Sequence, residues 1–103
     1  MNRGEVWTVV GPDGTCRWRV AVISADAYNG RSGFPFVVPL IRRPSGDLPP
    51  YTAALADPDP VGGVALVAEL GQIDVRQATE RIGMSTGASM ARIGEALRDL
   101  SEL

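Results

Sequence analysis

Short apolar segments alternate with glycine- and proline-rich breaks along most of the chain, and only the last twenty residues change period. Gly4-Glu5-Val6-Trp7-Thr8-Val9-Val10 alternates as a strand with one face buried does. Gly11-Pro12-Asp13-Gly14 follows as a turn, with proline to preset φ and glycine to take positive φ. A hairpin is therefore predicted, residues 3–10 returning as 17–24. The second arm, Arg17-Trp18-Arg19-Val20-Ala21-Val22-Ile23-Ser24, ends in four unbroken apolar residues and one serine. Such a run reads as a strand covered on both faces. Residues 29–33 form a polar, glycine-rich loop, and Phe36 to Ile41 another buried strand, with Pro39 favouring an edge or a bulge. Short strands are expected at 51–55, 64–70 and 81–84, separated by proline- or glycine-bearing breaks.

The C-terminal segment is helical in pattern. Thr86 can cap a helix on which Met90, Ile93, Leu97 and Leu100 recur at spacings of three and four. Arg92, Glu95, Arg98, Asp99 and Glu102 fall off that stripe, toward water. The fold class predicted is mainly β with one C-terminal α-helix, about five to seven short, mostly antiparallel strands closed by that helix.

Composition sets the bounds. The chain has 103 residues, 45% of them hydrophobic, enough for a single domain, 1–103, with its own core. There is one cysteine, Cys16, so no intramolecular disulfide can form, which points to a reducing compartment. The opening residues lack a hydrophobic signal core, and no apolar run approaches the ~20 residues of a membrane span. A cytoplasmic protein that does not engage a membrane is expected.

Charge adds an asymmetry. The net charge is −2, yet residues 1–50 carry six arginines against four acids and residues 51–103 four arginines against eight. The basic half is suited to an anion. With no histidine anywhere, the chain lacks the usual general base near neutral pH and the usual metal ligand. Gly83-Met84-Ser85-Thr86-Gly87 matches the G-x-S-x-G elbow, but no Ser-His-acid triad can be assembled without histidine. It reads instead as the junction of a strand with the helix cap. Cys16 reads as a small residue at a strand's start rather than a nucleophile, and nothing in the chain calls for a metal or a nucleotide cofactor.

Arg17, Trp18 and Arg19 concentrate the remaining chemistry. Alternation along a strand puts both arginines on one face and Trp18 on the other. Two guanidinium forks on one face can grip a phosphodiester, and Arg42-Arg43 supplies a second pair. The alternative is a solvated strand end in which the arginines pair with Glu5 or Asp13, and a charged loop that protects a sheet edge.

Arg3-Gly4-Glu5-Val6-Trp7 resembles the R-G-(D/E)-(I/V)-W opening of the MazF/PemK toxins, and Val20 to Ser24 with Asn29 is similar to their V-(L/V)-V-(I/V)-S-N-x-x-x-N segment. Val37-Val38-Pro39-Leu40, Ile73-Asp74, Arg81-Ile82-Gly83 and the helix from Met90 to Leu97 resemble, in order, four further family segments. The resemblance implies an SH3-like barrel of the CcdB/PemK type, a homodimer, and a type II toxin that cleaves single-stranded RNA without a metal or other cofactor. It further implies a partly disordered cognate antitoxin as partner, and mRNA, tRNA or rRNA as substrate. Carried onto this chain, it makes Arg17, Arg19 and Glu69 the candidate catalytic residues. Trp18, Ser24, Asn29, Arg42 and Arg43 become candidates for RNA binding.

The departures from the family pattern fall on the site. Where the family has R-P before its second strand, this chain has Trp18-Arg19, with Arg17 one place earlier. Ile41 stands in place of a threonine, and Gly71 in place of an arginine. Glu69 is the carboxylate expected to take the proton of the 2′-hydroxyl, since arginine cannot accept one. The competing function is a non-catalytic toxin or decayed member that binds a protein target or only its antitoxin. The chain's end, Leu100-Ser101-Glu102-Leu103, lacks the Trp-Gly-Ile tail that resemblance to the gyrase-poisoning CcdB toxins would imply.

Overall fold

The computed structural model describes residues 1–11, 14, 17–42, 50–55 and 62–102. Seven strands are present among them: β1 (Glu5–Val10), β2 (Arg17–Val22), β3 (Phe36–Ile41), β4 (Thr52–Ala54), β5 (Val64–Leu66), β6 (Gly71–Gln72) and β7 (Ala78–Met84). Two α-helices accompany them, α1 (Asp26–Ser32) and α2 (Gly87–Ser101). All pairings are antiparallel, in the order β4-β5-β3-β2-β1-β7, with β6 also paired to β3. This is the mainly β, C-terminally helical architecture predicted from the pattern, and it matches the barrel that the resemblance implies. No helix among the described residues is long and apolar enough to cross a membrane.

The predicted hairpin forms with Trp7 opposite Val20 and Thr8 opposite Arg19. Alternation in β2 then divides the interior into two clusters. Ala21 faces Val6, Val38, Leu40 and, on α2, Ile93 and Ala96. Val20 and Val22 face Val9, Val37 and Ile73 on the other side of the sheet. The stripe on α2 packs as its period requires, with Met90, Leu97 and Leu100 flanking the buried Ile93. Thr86 caps the helix, its hydroxyl oxygen accepting from the Ser89 N–H at 3.2 Å.

Several expectations are corrected. The polar segment after β2 is not a loop throughout but contains α1, so the chain has a second helix. Seven residues are too few for a hydrophobic period to announce a helix. Its ends are fixed by Asp26 in the first turn, Arg31 in the last and Gly33 in the left-handed conformation (φ 72°) at the stop. The strand expected at 64–70 stops at Leu66, and residues 67–69 make a single 3-10 turn.

Pro39 sits in a central strand, not at an edge. The partner of β3 on one side is β2 throughout, whereas on the other side β5 pairs with Leu40–Ile41 and β6 with Phe36–Val37. Proline falls between those two, where a residue without an N–H is tolerated. Gly63 is required where β5 begins. Its φ is +140°, and a Cβ there would lie 2.1 Å from the Ile41 carbonyl oxygen.

The Arg3-to-Trp7 segment explains itself through Glu5, which is 8% exposed. One carboxylate oxygen accepts from the Asn2 N–H at 2.6 Å and the Trp7 indole at 3.3 Å, and the other from Arg81 Nε at 2.7 Å. Burial by itself pushes this carboxyl up. The hydrogen bonds from Asn2, Arg81 and Trp7, with the Arg81 charge, outweigh burial and hold it below the usual glutamate range. Between β7 and α2, Ser85 of the G-x-S-x-G match is buried at the junction rather than presented on an elbow.

Candidate functional site

The arginine-bearing end of β2 extends past the region that α2 covers. Arg17 and Arg19 follow the parity of Ala21 and so share the α2 side, but all three residues from Arg17 to Arg19 are exposed. Pairing places Leu40 and Thr8 on either side of Arg19, and Glu80 of β7 opposite Thr8. One row, Leu40-Arg19-Thr8-Glu80, therefore crosses four strands. Above it opens a cavity of about 460 Å³ lined by Arg17, Arg19 and Arg42 with Thr8, Leu40 and Glu80, and by Trp18 at its rim.

Among the described residues, no ion pair or side-chain hydrogen bond joins Arg17, Arg19 or Arg42 to another side chain. The described ion pairs are Arg81 with Glu5 and Arg76 with Asp74, and Arg92 donates to the Ala54 carbonyl. The alternative of Arg17 or Arg19 pairing with Glu5 is thus excluded: Glu5 is taken by Arg81. Three guanidinium groups, none ion-paired to a described residue and outnumbering the Glu80 carboxylate of the same concavity, form an anion site. Arg43, Asp13 and Cys16 lie outside the described residues.

A second cavity, about 330 Å³, opens on the other side of the sheet. Its walls are Val20, Val37, Pro39 and Ile73, with Glu69, Gly71 and Gln72 completing it and Trp18 again at the rim. Trp18, 41% exposed, is the residue shared by the two cavities. The proposed catalytic set is consequently divided. Arg17 and Arg19 belong to the first cavity and Glu69 to the second, because residue parity along β2 keeps its uninterrupted register with β1 and β3. No local shift turns either arginine toward Glu69. Gly71 contributes no side chain to that second cavity, where the family pattern has an arginine.

Ser24 and Asn29 are spent on the fold rather than presented to solvent. Asn29 is 2% exposed and donates through Nδ2 to the Met1 and Ser24 carbonyls, both at 3.0 Å. Its Oδ1 accepts from the Ser24 hydroxyl, whose oxygen accepts in turn from the Phe36 N–H at 2.9 Å. The pair ties the N-terminus, the end of β2, α1 and the start of β3 together. Its side-chain polar atoms are hydrogen-bonded within the fold, which gives the pair a structural role.

Thr8, Leu40 and Glu80 were not singled out from the sequence. Their signal is pairing: each is opposite a neighbour in one row, and only the strand order brings β7 beside β1.

No protein-family model matches the sequence, and no curated protein matches it. Solved structures do. The chain is similar to an endoribonuclease in complex with its cognate antitoxin from a mycobacterial species, with a TM-score of 0.83 and 21% identity over 96% of this chain and 92% of that one. It is similar also to MazE–MazF from Deinococcus radiodurans in two crystal forms. One gives a TM-score of 0.82 at 25% identity, covering all of this chain and 96% of the other. The second gives 0.79 at 26%, covering 100% and 97%.

Proposed function

Because this chain is MazF-like, we propose that it is the toxin of a type II toxin–antitoxin pair and an endoribonuclease acting on single-stranded RNA in the cytoplasm. The observation that carries this reading is the set of three guanidinium groups, none ion-paired to a described residue, that line one cavity beside an exposed tryptophan. Arg17 and Arg19 hold the phosphodiester through paired N–H forks and stabilise the charge that grows on its oxygens during attack by the neighbouring 2′-hydroxyl. Trp18 stacks a base, and Arg42 extends the track for the next phosphate. The neighbours' assemblies support one partner, a cognate antitoxin, whose acidic and apolar side chains suit the arginine mouth and the apolar cavity behind Trp18; the family resemblance adds a second copy of the chain as homodimer.

The test uses protein freed of antitoxin, incubated with a long mixed-sequence RNA in EDTA, with new 5′ ends mapped by primer extension. Discrete cuts that vanish in an Arg17→Ala, Arg19→Ala double variant are expected. Intact RNA, from a preparation that still arrests growth on induction, would instead support a non-catalytic toxin. Two observations favour that second reading: Ile41 stands where a hydroxyl was expected, and Glu69 lies apart from the arginines.

A further inference from the structure

Resting on the nuclease reading, we propose that Glu80 on β7, not Glu69, is the carboxylate that accepts the 2′-hydroxyl proton. Arginine cannot accept it, and no histidine exists to do so. Glu80 is the carboxylate in the arginine-lined cavity. It stands two strands from Arg19 in one row, with Thr8 between them. Two strand spacings separate the backbones by about 10 Å. Glu80 forms no ion pair or side-chain hydrogen bond with any described residue, and none with the three arginines across the cavity. The gap between the guanidinium groups and the carboxylate is therefore open to a group that is an anion on one side and a hydroxyl on the other. A phosphodiester with its adjacent ribose 2′-hydroxyl has that composition.

The step balances without a co-reactant beyond water. The 2′-hydroxyl gives its proton to a Glu80 oxygen as O2′ bonds to phosphorus. The P–O5′ bond breaks with its electron pair on O5′, which takes a proton from water. The products are a 2′,3′-cyclic phosphate and a 5′-hydroxyl, and the Glu80 proton neutralises the hydroxide left behind. Thr8, which stands between acid and arginine in the row and lines the cavity, is placed to orient the ribose.

A counter-charge that merely offsets the arginines would give a different kinetic result, and this separates the two roles. Glu80→Gln is expected to lower kcat by about 10²- to 10⁴-fold without raising KM. Glu80→Ala should lose activity similarly and regain part of its kcat in added formate, which supplies a small carboxylate to the vacated space. Unchanged thermal melting of both variants would show that the fold is intact, as an exposed residue without a partner on an outer strand leads one to expect. A Glu80→Gln kcat within about threefold of wild type, with KM reduced, overturns the proposal and leaves Glu80 as a charge that weakens RNA binding. Absence of any cut RNA with wild-type protein is a separate result: it removes the nuclease reading, and this assignment with it, before any variant is compared.

Discussion

Glu5→Gln isolates the charge in the buried anchor beneath the first strand. The amide oxygen of glutamine can still accept from the Asn2 N–H and the Trp7 indole, so the bond lost is the one to Arg81 Nε at 2.7 Å. A hydrogen bond to a charged partner contributes about 1.5–3 kcal/mol when shielded. The Glu5 side chain is 11% exposed but that of Arg81 is 49% exposed, and solvent screening on that side lowers the figure to about 1–2 kcal/mol. For a domain of this size that corresponds to a fall in Tm of roughly 4–12 °C. The pH dependence supplies the sharper check. The folded carboxyl titrates below the ordinary glutamate value, so its contribution is fully present above about pH 4.3 and is lost as pH falls through the lower folded value. Urea melts of wild type and variant should therefore differ at pH 7 and converge under acid. Equal stability at pH 7, or a gap that persists undiminished to about pH 2, would refute the account of Glu5 as an ionised anchor.

Three further outcomes follow from other contacts. Asn29→Ala leaves the Met1 and Ser24 carbonyls and the Ser24 hydroxyl without their partner, and should cost about 2–3 kcal/mol in a denaturant melt while leaving RNA affinity per folded molecule unchanged. Gly63→Ala forces a Cβ against the Ile41 carbonyl in a backbone conformation disfavoured for L residues, and should destabilise by more than about 1 kcal/mol on thermal melting. Binding of a 2′-O-methyl RNA, measured by fluorescence anisotropy over a salt series, should lose about 0.7 from its log–log slope for each phosphate contact removed by Arg17→Ala or Arg19→Ala. An unchanged slope would take the arginines off the RNA backbone.

The strands were legible because alternation and the glycine–proline breaks are local, and α2 because its stripe runs over four turns of one period. α1 escaped notice for the opposite reason: its stop at Gly33 and its hold on the Arg3 N–H through Asp26 are made by geometry and by a residue 23 places away. Arg17, Trp18 and Arg19 could be named, and their division between two faces foreseen, from parity in a strand. That Glu69 shares neither cavity wall with the arginines, and that Glu80 does, depended on register between strands distant in sequence. Ser24 and Asn29 show the same limit from the other side, since polar residues in a family segment look alike on paper whether they face water or bind three carbonyl and amide groups inside.

Sequence by itself determined the fold class, the α2 stripe, the loss of histidine chemistry and the concentration of arginine around Trp18, because each depends on residue type and spacing along one segment. Only tertiary structure decided which carboxylate shares a cavity with the Arg17, Arg19 and Arg42 guanidinium groups. The pairing of β7 with β1 brings Glu80 into the row of Arg19 across more than sixty residues of chain, and no local pattern records a neighbourhood that the pairing of distant strands creates.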